Sequence, residues 1–309
     1  MIEVKDLVKK YGSHLAVDHL SFTLESGKIY GFLGPNGAGK STTMNIMTGY
    51  LGATQGSVLI DGHDILKEPE EAKKHIGYLP ELPPLYMDMT VQEYLEFAAE
   101  LKKLPKEKRE SDISEVMKLT RLQDVSDRLI KNLSKGYKQR VGLAQAILGF
   151  PEIIILDEPT VGLDPKQIIE IRELIRTLSK KHTVILSSHI LAEVREVCDY
   201  ILIISKGKLV ASDTPENLEL LRNGASSLEL EVKAAPETAR AILSTIDDID
   251  AMEMHSENEN LTRVKLETKN GADIREAIFY AFAEEKCPLL EMKTAKASLE
   301  DIFMELTQK

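Results

Sequence analysis

Short apolar runs recur along the first two thirds of the chain, each closed by turn or helix signals. They are "KIYGFLG" at 28–34, "HIGYLP" at 75–80, "EIIILDEP" at 152–159, "HTVILSSH" at 182–189 and "YILIIS" at 200–205. Strands alternating with helical patterns up to about residue 220 predict a mostly parallel sheet of the α/β class. Between Glu81 and Tyr137 the strand pattern stops, and "TVQEYLEFAAELKK" opens with Thr90 and has Glu93 three positions later, a capping box ahead of an amphipathic helix. A helical subdomain over about 83–150 is therefore expected inside the α/β region. After residue 221 the period changes. "SLELEV", a helix from about Pro236, "IDAMEM", "TRVKLET", a helix from about Ala272 and "PLLEMKTA" follow one another. This β–α–β–β–α–β order predicts a small ferredoxin-like α+β domain over 222–309. A final helix, "SLEDIFMELTQ", has Ser298 as cap, Asp301 three later, and Leu299, Ile302, Phe303 and Leu306 on one face, a stripe better suited to packing on its own domain than to a partner.

The length of 309 residues accommodates one large and one small domain. A formal charge of −11 and a pI near 5.3 exclude the basic footprint of a nucleic-acid partner. Apolar runs such as "IIIL" at 153–156 fall far short of the roughly 18 residues that span a bilayer. Residues 1–20 are charged from Glu3 onward and lack the apolar core of a signal peptide, so a cytoplasmic location is expected. Cys198 and Cys287 are isolated from each other and from histidines, which fits packed, reduced thiols and neither a disulfide framework nor a metal site.

Chemistry is concentrated in a few segments. "GPNGAGKST", Gly34–Thr42, matches G-x-x-x-x-G-K-[ST] between a strand and a helix start. In such a loop the backbone N–H groups of Asn36, Gly37, Ala38 and Gly39 turn toward phosphate oxygens at the N-terminus of a helix. Lys40 reaches the β and γ phosphates, Ser41 binds Mg²⁺, and Thr42 closes the nucleotide-binding stretch. "IIILDEPT" carries Asp157 and Glu158 to the C-terminal end of a buried strand, where Asp157 suits the Mg²⁺ shell and Glu158 suits a general base for water. His189 in "SSHI" is placed to donate to a γ-phosphate, although a lone histidine is more often a satisfied core or cap residue. "LSKGYKQR", 133–140, sets Ser134 and Gly136 at a helix start, as a plain cap or as an anion site.

Taken in order, "GPNGAGKST", "LSKGY", "ILDEPTVGLDP" and "SSH" resemble the ATP-binding subunits of ABC transporters, over roughly residues 1–220. The C-terminal "ASLEDIFMELT" and the departures described below look like the bacterial exporter-type members. The resemblance implies the P-loop NTPase fold of the ABC type, with a mixed sheet core and a helical subdomain, ATP and Mg²⁺ as ligands, and an ATPase. It implies that Tyr11 stacks on adenine, that His189 is the switch histidine, and that Asp164 lines a dimer interface. It further implies that Ser134 and Gly136 contact ATP held by a second copy of the chain. Two copies would then bury two nucleotides head to tail and drive a separately encoded integral membrane permease, holding the chain at the inner face of the cell membrane. A soluble ABC protein acting on a macromolecular complex is the alternative; such proteins usually carry two ATP domains or a long coiled-coil insertion. Two departures from the family pattern stand out. Lys135 and Tyr137 replace a glycine and a glutamine of "LSGGQ", and Glu81 replaces a glutamine that touches Mg²⁺. Glu81 can still supply an oxygen ligand but cannot donate a hydrogen bond; a solvated loop carboxylate is its other reading. "LPPLYMDM", with Leu85, Tyr86 and Met87, suits a groove for a membrane partner's helix or a packed loop.

Overall fold

The structure is a computed structural model that describes residues 1–220, 227–258, 260–269, 272–295 and 303–304. The helix expected from Ser298 to Leu306 lies almost wholly outside the described residues. The chain divides into two compact units, Met1–Thr214 and Pro215–Lys309, against the expected boundary at 221/222.

The first unit contains two sheets. One is antiparallel, built from β1 (Ile2–Tyr11), β2 (His14–Leu24), β4 (Gln55–Ile60) and β5 (His63–Asp64) in the order β2-β1-β4-β5. The other comprises β3 (Ile29–Leu33), β6 (Ile76–Leu79), β7 (Ile153–Leu156), β8 (Thr183–Ser188), β9 (Tyr200–Ser205) and β10 (Lys208–Asp213) in the order β10-β9-β3-β8-β7-β6. Only β10 runs antiparallel there. The apolar runs read from the sequence are thus the parallel strands; every residue of β3, β7 and β8 is buried, as expected for strands covered on both faces. The individual strands of the antiparallel sheet are not evident in the hydrophobic pattern. Its β1–β2 ladder slips at Val4/Leu7, Leu7/Lys9 and Lys9/Lys10, and each bulge breaks the two-residue alternation that marks a half-buried strand. Ile2, Val4, Leu20 and Leu24 of this sheet share one core with Phe32, Met44, Ile155, Ile185 and Leu202.

The helices of this unit are α1 (Lys40–Met47), α2 (Pro69–Lys74), α3 (Val91–Leu101), α4 (Lys106–Leu119), α5 (Lys135–Ile147), α6 (Pro165–Leu178) and α7 (Leu191–Val197). The insertion between β6 and β7 holds α3, α4 and α5, and α3 starts with Thr90 and Glu93 in a reciprocal capping box. The second unit has α8 (Pro215–Leu220), β11 (Ser227–Val232), α9 (Pro236–Leu243), β12 (Ile249–Asn258), β13 (Leu261–Thr268), α10 (Arg275–Glu284) and β14 (Leu289–Ala295). Its sheet is antiparallel in the order β12-β13-β11-β14. It has a core of its own, with Leu228, Leu230, Leu243, Val264, Leu266, Ile278 and Phe282.

Candidate functional site

The chain leaves β3 at Leu33, between β8 and β9, and curls through Gly34–Gly39 into α1. Gly39 has φ 103°, and a Cβ there would lie 2.5 Å from the Ala16 carbonyl oxygen, so only glycine fits this close approach to β2. Lys40 is buried. Its Nζ arcs back to donate to the carbonyls of Gly34 at 2.8 Å and Pro35 at 3.2 Å, and lies 3.6 Å from Glu158 Oε1. The loop, from Asn36 to Thr42, lines a cavity of about 510 Å³ together with Tyr11, Glu81, Glu158 and His189. His14, Ala16 and Val161 complete the wall and were not anticipated, because the β1–β2 hairpin that carries two of them has no local motif.

At the end of β7, Asp157 and Glu158 are 3% and 7% exposed. Ser41 Oγ donates to Asp157 Oδ1 at 3.1 Å, and Ser187 Oγ donates to the same oxygen at 2.5 Å. Ser187 Oγ also accepts the Glu158 N–H at 2.9 Å, so this serine on β8 fixes both acids. Glu158 itself sits in the left-handed region, φ 48°, a conformation that costs a non-glycine residue on the order of 1–3 kcal/mol and clusters at functional sites. Its Oε2 lies 3.0 Å from His189 Nδ1. A hydroxyl and a carboxylate 3.1 Å apart beside a phosphate loop are hard oxygen donors that fit Mg²⁺. Among the described residues no group of three or more His, Cys, Asp or Glu could hold a metal, so phosphate oxygens and water would have to complete the shell.

Tyr11 is half-exposed on the cavity wall, with the Lys9 ammonium 5.2 Å from its ring centroid and donating to the Gly52 carbonyl at 2.7 Å. The remaining expected residues gather elsewhere. Ser134 caps α5, accepting from the Tyr137 N–H at 3.4 Å. Gly136 is buried so closely that a Cβ would come 2.5 Å from the Gln167 side chain. Gln167 in turn donates its N–H to Asp164 Oδ1 at 2.9 Å in the capping box of α6. Ser134, Gly136 and Asp164 therefore form a second cluster that does not line the cavity of this chain's own loop. The two departures from "LSGGQ" do not line that cavity either: Lys135 leans over Gly162, and the Tyr137 hydroxyl donates to Asp124 Oδ2 at 3.2 Å.

A wider cavity of about 750 Å³ lies beside the first, sharing Ser41 and Glu81 with it and lined also by Tyr50, Tyr78, Leu82 and Lys102. Tyr50 and Leu82 are 82% and 79% exposed there. Of the loop after Glu81, Tyr86 and Met87 are exposed while Leu85 is part-buried, and Tyr86 packs edge-on against Phe97 of α3 at 5.2 Å. No helix among the described residues is long and apolar enough to cross a membrane.

Comparison with known proteins matches the ABC transporter family pattern to residues 17–161. The chain is 36% identical to an uncharacterized ABC transporter ATP-binding protein, YhcH, of Bacillus subtilis (strain 168), over 99% of this chain and 96% of the relative. It is 35% identical to the bacitracin transport ATP-binding protein BcrA of Bacillus licheniformis, over 99% of this chain and 97% of the relative. Among solved structures, the dimeric post-hydrolysis state of the ATP-binding cassette MJ0796 bound to ADP and Pi superposes with a TM-score of 0.64 at 26% identity, covering 69% of this chain and 98% of that one.

Proposed function

The chain belongs to the ABC transporter family of ATP-binding proteins and is an ATPase, and from that premise we propose that it is the motor subunit of an exporter-type transporter. Two copies would close head to tail around two MgATP and drive a separately encoded membrane permease. The observation that carries this reading is the convergence of Lys40, Ser41, Asp157, Glu158 and His189 at the C-terminal ends of β3, β7 and β8. Lys40 and the N–H groups at the start of α1 bind the β and γ phosphates. Ser41 and Asp157 hold Mg²⁺, with Glu81 at the cavity wall as a further oxygen ligand; the ion supplies charge neutralisation to the phosphoryl oxygens. Glu158, aimed by Ser187, accepts the proton of the attacking water, and His189 steadies Glu158 and the γ-phosphate. Tyr11 stacks on the base.

Ser134 and Gly136, clustered with Asp164 away from the loop of their own chain, serve the nucleotide of the second copy, and Asp164 lines the interface between the two copies. The cavity of about 750 Å³ with exposed Tyr50 and Leu82 is suited to a cytoplasmic helix of the permease. Under this reading the first unit, Met1–Thr214, acts as the ATP-binding domain and the second, Pro215–Lys309, as a regulatory, ferredoxin-like accessory. The bacitracin transport relative supports a role in transport, and the permease would hold the chain at the inner face of the membrane.

Glu158→Gln tests the reading. The variant is expected to retain MgATP as a stable dimer while turnover falls about 10²- to 10⁴-fold, the usual worth of a positioned base. Wild-type turnover in that variant would overturn the assignment.

A further inference from the structure

Glu193 is a buried carboxylate that the reading above leaves without a task. It lies in the first turn of α7 and is 7% exposed. Burying a carboxylate is costly unless hydrogen bonds replace its water, and here the donors come from two particular places. Thr160 Oγ1 donates to Glu193 Oε2 at 2.6 Å, and Ser188 Oγ donates to the same oxygen at 3.2 Å. Ser188 Oγ in turn accepts the Ile190 N–H at 3.0 Å. Thr160 is the second residue after Glu158, and Ser188 immediately precedes His189. One carboxylate oxygen therefore holds the segment that leaves the general base and the segment that carries the histidine facing it.

The two segments have no sequence continuity. Glu158 follows β7, His189 follows β8, and the ladder joining those strands ends at Leu156↔Leu186. Beyond that point their spacing rests on side chains. Ser187 and Ser188 point to opposite faces of β8 and divide the work. Ser187 fixes Asp157 and the Glu158 N–H, whereas Ser188 hands the other side to Glu193.

We propose that Glu193 is a positioning residue for hydrolysis: by clamping Thr160 and Ser188 it sets the 3.0 Å spacing between Glu158 Oε2 and His189 Nδ1. It does not line the cavity of the phosphate loop. This inference rests on the reading of Glu158 and His189 as the working pair. A group that holds this pair contributes to the barrier for hydrolysis and not to the binding of ATP, because the phosphate loop is built by β3 and α1. Misplacing a reacting group by about 1 Å can cost roughly 10²-fold in rate.

The test uses the full chain with Glu193→Leu, Glu193→Gln, Thr160→Val and the double variant Glu193→Leu/Thr160→Val. Steady-state hydrolysis of MgATP is measured beside equilibrium binding of MgATP and thermal melting. Glu193→Leu is expected to lower kcat about 10- to 100-fold with KM and the MgATP Kd within about twofold of wild type. Glu193→Gln, whose amide oxygen still accepts both hydroxyls, recovers most of that loss. Thr160→Val lowers kcat, and the double variant is no worse than the poorer single, since both break one clamp. A kcat near wild type in Glu193→Leu, or losses that multiply in the double variant, overturns the proposal. If Glu193→Leu does not fold, Thr160→Val and Glu193→Gln decide it: Thr160→Val with unchanged kcat refutes the clamp. Glu158→Gln run in parallel separates the two levels. If it is inactive while the Glu193 and Thr160 variants turn over normally, only the clamp fails; if it turns over normally, the catalytic pair fails and the clamp with it.

Discussion

A methyl group at position 39 has nowhere to go. The φ of 103° belongs to glycine, and the Ala16 carbonyl oxygen stands 2.5 Å from where the Cβ would be. Gly39→Ala is expected to cost on the order of 1–3 kcal/mol and to weaken MgATP binding, because the loop must move off β2 to relieve the contact. Titration calorimetry beside a thermal melt checks this, and an unchanged Kd would show that the approach to Ala16 is not what shapes the loop. Glycine, lysine and serine at these spacings were legible in the sequence because the loop is local: Gly34 to Thr42 folds on itself, and the motif records its own geometry. Asp157 and Glu158 were legible for a related reason, as two acids at the end of a wholly apolar strand. Ser187 was not. The pair "SS" before His189 gives no sign of which hydroxyl meets Asp157, and that choice is made by the parallel register of β7 on β8, a tertiary fact.

Helix ends show the same division among elements. The capping boxes at Thr90 and Asp164 are written within four residues, and both Thr90 and Asp164 cap helices. The C-terminus of α5 is capped from a distance instead: Lys102, just past α3, donates to the carbonyls of Ala146 at 3.0 Å and Leu148 at 2.7 Å. No spacing in the sequence joins residues so far apart. Burial against these carbonyls pulls the Lys102 ammonium down to about 8 from the usual 10.5. The sign of the linkage follows from that lowering. Below about pH 8 the lysine is charged in folded and unfolded chains alike, and the cost of burying the charge is fully present. Between about 8 and 10.5 the unfolded chain binds more protons, so stability rises with pH. Denaturant unfolding across this window is therefore expected to move in favour of wild type relative to Lys102→Met as pH increases. Parallel curves for the two proteins would remove Lys102 from the account. The antiparallel sheet is the element that the sequence hid most completely, because three register shifts in β1–β2 scramble the alternation by which a strand of this kind is read.

For the molecule as a whole, the second cluster matters most. Ser134, Gly136 and Asp164 sit together and away from the cavity that Lys40 serves, which is the arrangement expected if Ser134 and Gly136 complete a nucleotide site on another copy across an interface lined by Asp164. Lys40→Ala disables the loop and Ser134→Glu repels a γ-phosphate, so neither homodimer should occlude ATP. In a Glu158→Gln background, a mixture of the two is expected to restore occlusion at one of two sites per heterodimer, read as trapped nucleotide. Heterodimers that form and trap nothing would count against the trans site. The strand and helix order of residues 227–295 was legible from the change of hydrophobic period, whereas the pairing order β12-β13-β11-β14 was not, since local pattern says nothing of which strand becomes a neighbour. The central position of β3 also sets a clock for the newborn chain. The Gly27 N–H just ahead of β3 bonds to Thr183 Oγ1 across 156 positions, and the neighbours of β3 in its sheet are β8 and β9. At about 5–20 residues per second on the ribosome, these partners emerge roughly 8 to 30 s after β3 does. For that interval the apolar strand leading into the phosphate loop has no ladder to join, so "IYGFL" leaves the ribosome as an unpaired apolar segment that waits for β8 and β9 to follow it.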